Sequence, residues 1–267
     1  MNRALLIGIN KYPSAPLRGC VNDITDMAAF LTVRCGFKKS DIRLLCDTRA
    51  TTKAILERLE WLVTGIKAGD RVVFHYSGHG VQLPTRNPAG EIDGLDEAIC
   101  PVDFDWSEQH TIRDKEFNRI FRKVPEGVPF VWISDSCHSG DLLKLMRKPS
   151  FTVKTISPPP DIDWRFQTAA ESNIEVKGFR SVAQELNLAL ITGCKSNQTS
   201  ADAVFKKRPN GALTYFLLSE LKTPQGLKRT LVKVVKNVNT ALKRKGFNQQ
   251  PQLEGKEEMR RKPFLGD

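Results

Sequence analysis

The sequence predicts a doubly wound α/β fold, and three observations carry that expectation. Five short apolar runs, Ala4–Ile9, Ile42–Leu45, Arg71–Tyr76, Phe130–Ser134 and Leu188–Thr192, have the near-continuous hydrophobicity of strands covered on both faces. Segments with helical periodicity lie between them, which favours a mainly parallel sheet with helices on both faces. Two of the runs end in Gly/Ser-rich turns, Tyr76-Ser77-Gly78-His79-Gly80 and Asp135-Ser136-Cys137-His138-Ser139-Gly140. In open α/β sheets the crevice beyond the strand ends is where ligands bind, so neighbouring strands could bring these turns together.

The elements follow in order. Ala4–Ile9 opens the sheet, and Asn22 or Asp23 reads as the cap of a helix over Ile24–Val33 that Gly36 stops. After Ile42–Leu45, Thr51 or Thr52 caps a helix over Lys53–Val63, with Gly65 as its stop. Arg71–Tyr76 precedes residues 82–112, which read as an acidic insertion loop because six acids fall between Glu91 and Asp105. Arg113–Val124 reads as a helix before the strand Phe130–Ser134. A second insertion, 147–181, contains Ser157-Pro158-Pro159-Pro160, which excludes a regular helix or a central strand and reads as an exposed loop. Leu188–Thr192 then leads into helices over Ala212–Leu221 and Leu231–Arg244, the latter ending at Gly246. No internal repeat is visible, and residues 1–267 read as a single domain.

Composition narrows the function. The chain has 267 residues, 40% hydrophobic and 27% charged, as in an ordinary globular protein. No apolar run reaches the roughly 18 residues of a membrane span, and the start lacks the cleavage site of a signal peptide. Six cysteines without CxxC spacing fit a reduced, cytoplasmic protein better than a disulfide framework or a zinc site. Residues 1–140 carry 18 Lys/Arg and 18 Asp/Glu, so the net charge of +11 lies entirely in the remainder. That basic third raises nucleic-acid binding, but the Lys and Arg of Leu227–Lys245 punctuate apolar residues at helical spacing, and a solvated helix face is the better reading. A monomer is expected.

The two turns carry the chemistry. Peptide hydrolysis by cysteine needs a thiolate, a base that later protonates the leaving amine, and donors for the oxyanion. Cys137, at a strand end, is the candidate nucleophile and His79 the candidate base. Gly80 permits close backbone approach, so the amides of Gly80 and Cys137 are the candidate oxyanion donors. His138, adjacent to the nucleophile on a tight turn, is expected to point away. His75 and His110 read as structural.

At these residues the chain resembles the metacaspases, the caspase-like cysteine peptidases. Three further stretches agree in family order: Gly8-Ile9-Asn10-Lys11-Tyr12 with Leu17-Arg18-Gly19-Cys20-Val21-Asn22-Asp23, then Asp93–Asp103, then Gln249-Gln250-Pro251-Gln252-Leu253. The resemblance implies a caspase-like three-layer sandwich and an endopeptidase cutting after Arg or Lys. It also implies an acidic pocket whose matching positions are Cys20, Asp23, Ser77 and Asp135; two carboxylates there would select a cationic side chain. Many metacaspases bind calcium through several aspartates. Here Asp114 remains, but Lys115 and Lys144 stand where acids are expected, so no cofactor and no metal site are assigned and calcium dependence is doubtful. The resemblance further suggests self-cleavage near the nucleophile, with Arg147 or Lys148 favoured. The alternative is a catalytically silent caspase-like scaffold, which would need neither the His79–Cys137 pair nor the pocket acids.

Overall fold

The five apolar runs become five neighbouring strands of one sheet. In the computed structural model, which describes residues 1–86, 92–138, 151–164, 175–195 and 198–266, they are β1 (Asn2–Gly8), β2 (Ile42–Cys46), β3 (Arg71–Ser77), β7 (Phe130–Asp135) and β10 (Ala189–Thr192). Between β3 and β7 lie β4 (Gly80–Arg86), β5 (Ile92–Ile99) and β6 (Ile112–Arg113); β8 (Phe151–Val153) and β9 (Glu175–Lys177) precede β10. Farther on come β11 (Ala201–Phe205), β12 (Arg208–Gly211) and β13 (Gln252–Glu254). The main sheet runs β13-β10-β7-β3-β1-β2, parallel throughout except for the antiparallel edge strand β13.

Alternate residues of each strand feed two cores. Leu5, Ile7, Val72, Phe74, Trp132 and Leu190 face one side, with α2 (Thr52–Val63), α3 (Asp114–Phe121) and α4 (Phe179–Glu185). Ala4, Leu6, Val73, Val131, Ile133 and Ile191 face the other, with α1 (Cys20–Arg34), α5 (Ala212–Leu221) and α6 (Leu231–Arg244). The period-2 alternation of a strand makes this double coverage possible, and it explains why the central runs are almost continuously apolar. The result is the expected three-layer sandwich. In α6 the exposed side carries Lys233, Lys236, Lys243 and Arg244 while Leu231, Val234, Val235, Val238 and Leu242 are buried, so this part of the basic C-terminal half is a solvated helix face.

Three local expectations are corrected. The first helix starts at Cys20 with Gly19 as its N-cap, so neither Asn22 nor Asp23 caps it; both lie in its first turn with their side chains engaged elsewhere. The segment 82–112 is largely a hairpin, in which β4 pairs antiparallel with β5 and β5 with β6. Its acids share strands with buried Val81, Leu83, Ala98 and Ile99, and the density of charge hid that alternation. The segment 147–181 is not simply an exposed loop. Phe151–Val153 pairs with β11, and Lys154 is completely buried. The triple proline lies just beyond it. Thr51 does cap α2, accepting from the Ala54 amide, and Gly36, Gly65 and Gly246 close their helices with φ near +70° to +80°.

Candidate active site

The register of the parallel sheet sets the site. Ser77, the last residue of β3, lies opposite Asp135, the last residue of β7, so the two following turns leave the sheet side by side. β1 borders β3 on its other flank and leads through a loop into α1, bringing Cys20 and Asp23 to the same end. This is the point where the strand order reverses from β1 towards β2 on one side and β3 on the other, as expected for a ligand crevice.

Two buried tyrosines hold the His79 turn. Tyr12 Oη and Tyr76 Oη are 3.1 Å apart, and each lies 2.9 Å from the Cys100 carbonyl. The His79 amide donates to Tyr12 Oη at 3.1 Å, and the Tyr76 hydroxyl reaches the His79 carbonyl at 2.6 Å. A Cβ at Gly78 would sit 2.5 Å from Tyr12 Oη, and one at Gly80 would sit 2.5 Å from the Cys137 carbonyl. The His79 turn therefore needs glycine on both sides of the histidine for close approach rather than for flexibility. His79 Nε2 donates to the Ala15 carbonyl at 2.6 Å, which leaves Nδ1 as the acceptor. That buried Nδ1 has no hydrogen-bond partner among the described residues. Burial lowers the His79 pKa to about 4 against the pull of the Ala15 carbonyl, so the ring is neutral at physiological pH.

His138 points away, as expected. Its Nε2 lies 3.2 Å from Ser136 Oγ and its Nδ1 3.4 Å from the Val81 carbonyl, with the ring edge-on to Phe179 at 4.8 Å. His75 is buried beside Thr214 Oγ1 at 3.1 Å, and burial pushes its pKa to about 3. His110 pairs with Asp105 on the surface.

Lys154 occupies the crevice between the two turns. Its carbonyl oxygen accepts from the Gly80 amide at 3.2 Å and the Cys137 amide at 3.1 Å, the two candidate oxyanion donors. Its own amide donates to the Ser200 carbonyl at 3.2 Å, continuing the antiparallel pairing of β8 with β11. Its ammonium lies 3.0 Å from Asp135 Oδ1, 2.9 Å from Ser77 Oγ and 3.4 Å from Asp23 Oδ2. Lys154, Asp23, Ser77 and Asp135 are all fully buried. The thiol of Cys20 is also buried beside this charge; burial pushes its pKa up and the lysine opposes that. The four sequence-derived pocket positions thus converge on one ammonium group. The main chain of Lys154 also abuts the His79 ring. Cys137 Sγ faces Ser200 and Cys194: the Ser200 amide donates to it, and Cys194 Sγ is 3.7 Å away.

The two pocket carboxylates are not equivalent. Asp23 accepts from Ser77 Oγ at 2.7 Å, Asn210 Nδ2 at 2.9 Å and the Gly211 amide, yet burial raises its pKa to about 7 against the attraction of Lys154. Burial works the same way on Asp135, but Lys154 and two hydrogen bonds from Thr214 outweigh it and hold that carboxyl below its usual range. Sequence reasoning missed Ser200, Asp202, Asn210 and Thr214, and it did not single out Lys154 among the basic residues of 141–181. Asp202 Oδ2 accepts from the amides of Arg18 and Gly19 at 2.6 and 3.1 Å, and its buried Oδ1 has no partner among the described residues. The signal available was polar density: Ser200, Asp202 and Asn210 stand within or beside short strands where apolar residues would be expected. Arg147, Lys148 and Lys144 lie outside the described residues.

The acids that would hold calcium do not fit a divalent ion. Arg113 Nη1 is 3.3 Å and Lys115 Nζ 3.9 Å from Asp96 Oδ2, so two cations already face that carboxylate. Asp114 lies close to the same carboxylate. Its pKa rises to about 6 through burial and the neighbouring charges of Asp96 and Glu97. Calcium needs about 6–8 oxygen ligands, and positive side chains supply none. Among the described residues no helix is long and apolar enough to cross a membrane.

Comparison with known proteins agrees with this geometry. Residues 2–146 match the family model of the metacaspase, peptidase C14 domain. The chain is 34% identical to Metacaspase-1 of Kluyveromyces lactis over 94% of its own length and 65% of that protein's. It is 31% identical to Metacaspase-1 of Meyerozyma guilliermondii, again over 94% of this chain and 68% of the other. It therefore spans about two thirds of the length of these relatives. The solved structure of protein GSU0716 from Geobacter sulfurreducens superposes with a TM-score of 0.70 at 27% identity, covering 99% of this chain and 98% of that one. By the family-model match over more than half of its length and by these relatives, the chain belongs to the metacaspase family of peptidase C14 domains.

Proposed function

We propose that this protein is a cysteine endopeptidase that hydrolyses peptide bonds after Lys or Arg, with Cys137 as nucleophile and His79 as base. The observation that carries this reading is the seating of Lys154. A peptide carbonyl sits on two main-chain donors while the preceding side chain places its charge between two buried carboxylates, which is how a substrate residue before the scissile bond would lie.

Each group then has a role. Hydrogen bonds from Gly80 and Cys137 would strengthen as the carbonyl oxygen gains charge in the tetrahedral intermediate. The neutral His79, oriented through Nε2 by Ala15, presents Nδ1 to take the thiol proton and return it to the leaving amine. Asp23, Asp135 and Ser77 select a cation. Arginine suits two carboxylates as well as lysine does, because its guanidinium offers five donors. The absence of fit for calcium around Asp96 supports a metal-independent reaction. A scaffold without catalysis would need no buried carboxylate pair at this position, and burying one is costly unless it serves a cation. A cytoplasmic, monomeric enzyme acting on peptide or protein substrates is the context proposed.

The same geometry makes Lys154 an internal substrate, with the Lys154–Thr155 bond as its scissile bond. Fluorogenic peptides ending in Arg, Lys or Asp, assayed with and without EGTA, test the proposal. Hydrolysis of the Arg and Lys peptides alone, unaffected by EGTA and lost in Cys137→Ala, is the expected result. Cleavage after Asp, or full turnover by Cys137→Ala, would overturn it.

A further inference from the structure

Of the six cysteines, Cys194 is the one that touches the nucleophile. Its Sγ lies 3.7 Å from Cys137 Sγ, although the two residues are 57 positions apart. We propose that Cys194 is a resolving thiol, which captures peroxide-oxidised Cys137 as a reversible Cys137–Cys194 disulfide and spares the nucleophile from irreversible oxidation. The inference rests on the reading of Cys137 as the nucleophile.

The fold brings the two sulfurs together for a simple reason. β7 and β10 are parallel neighbours, with Ser134 opposite Thr192, and the Gly193 amide donates to the Ser134 carbonyl at 2.9 Å. The backbones are thus hydrogen-bonded up to the residue before Cys194. Neighbouring strands run about 4.8 Å apart, and disulfides span Cα separations of about 4.4–6.8 Å. The sulfurs need only close from contact distance, which side-chain rotation can supply. The other thiols lie elsewhere: Cys20 begins α1, Cys35 ends it, Cys46 ends β2 and Cys100 follows β5. Cys137 is fully buried, whereas Cys194 is only partly so, and peroxide can approach the pair from that side.

The chemistry balances with hydrogen peroxide as the oxidant. The Cys137 thiolate attacks one peroxide oxygen, the O–O bond breaks, and hydroxide leaves; sulfur is oxidised to the sulfenic acid and peroxide is reduced. Cys194 sulfur then attacks the sulfenic sulfur. The S–S bond forms, the S–O bond breaks, and hydroxide leaves with the Cys194 proton as water. In the reduced protein the Cys194 thiol is held well above its usual pKa, first by its hydrogen bond to Cys137 and then by burial.

The test uses the full chain, reduced, freed of reductant and treated with hydrogen peroxide. One portion is alkylated and digested without reduction for mass spectrometry; another is assayed before and after dithiothreitol. In wild type a Cys137–Cys194 cross-linked peptide should appear, two hydrogens lighter than its parts, with activity lost and then restored. Cys194→Ser and Cys194→Ala should lack it, accumulate sulfinic acid at Cys137 and fail to recover, each scaled to its own untreated activity. Absence of the cross-link in wild type, a cross-link from Cys137 to another cysteine, or recovery of the variants to the wild-type level would overturn the proposal. Because the cross-link is read in unmutated protein, misfolding of a variant does not shelter it. A cross-link in a protein without peptidase activity would instead refute the proposed function and leave the disulfide standing.

Discussion

Replacing Lys154 by Met keeps an unbranched side chain in the crevice and removes its charge. The ammonium is within 3.4 Å of two carboxylates and a hydroxyl, all completely buried. Removing one partner from a buried ion pair typically costs about 3–5 kcal/mol. Water enters the pocket when the 151–156 segment leaves, which relieves part of that cost, so about 1.4–3 kcal/mol is a reasonable share for the lysine's hold on the site. At about 1.4 kcal/mol per tenfold, the segment should suppress hydrolysis of an external peptide by roughly 10- to 100-fold before it is cut. Initial rates on an Arg peptide, measured on freshly purified uncut protein, should therefore rise by that factor in Lys154→Met. Intact-mass spectrometry should show fragments ending at Lys154 in wild type, none in Cys137→Ala, and no cut at this bond in Lys154→Met. Lys154→Arg should restore the cut. Equal initial rates in wild type and Lys154→Met, or cleavage after position 154 in the Met variant, would refute the reasoning.

Asp135→Ala should abolish cleavage after Arg and also destabilise the protein by about 3–5 kcal/mol in urea unfolding, because it strands a buried ammonium; pairing it with Lys154→Met should recover part of that loss. The Michaelis constant for Arg peptides should rise as pH falls through about 7, since Asp23 then takes up a proton and the pocket loses one negative charge while Asp135, held low, keeps its own. A constant KM across that range would count against Asp23 as a pocket charge. Chelation by EGTA should leave the rate of wild type unchanged, and a strict calcium requirement would show that Arg113 and Lys115 do not govern the Asp96 cluster.

The sheet was legible because a strand buried on both faces is apolar throughout, and five such runs with helical segments between them admit few other arrangements. The two turns that carry the candidate residues stood out for a different reason. His79 and Cys137 stand among glycines and serines at strand ends, where a structural histidine or thiol has no need of them. The hairpin of 82–112 was hidden because charged residues such as Asp96 are buried by pairing with Arg113, which no periodicity rule anticipates. Asp23 was ambiguous for a local reason, since a carboxylate near a helix start caps as readily as it binds a cation. Lys154 was one of several basic residues of 141–181, with nothing local to single it out. A lysine before three prolines looks solvated, and only the tertiary fold, through β8 and β11, delivers it to two carboxylates that both lie earlier in the chain. The preference for Arg147 or Lys148 as the processing site came from chain distance to Cys137, and both residues lie outside the described ones.

An irreversible peptide ketone ending in arginine tests nucleophile and pocket in one measurement. The account predicts one adduct per chain, located on Cys137 by peptide mapping, absent from Cys137→Ala and strongly slowed in Asp135→Ala. An adduct on another cysteine, or equal labelling by the same ketone ending in aspartate, would contradict it.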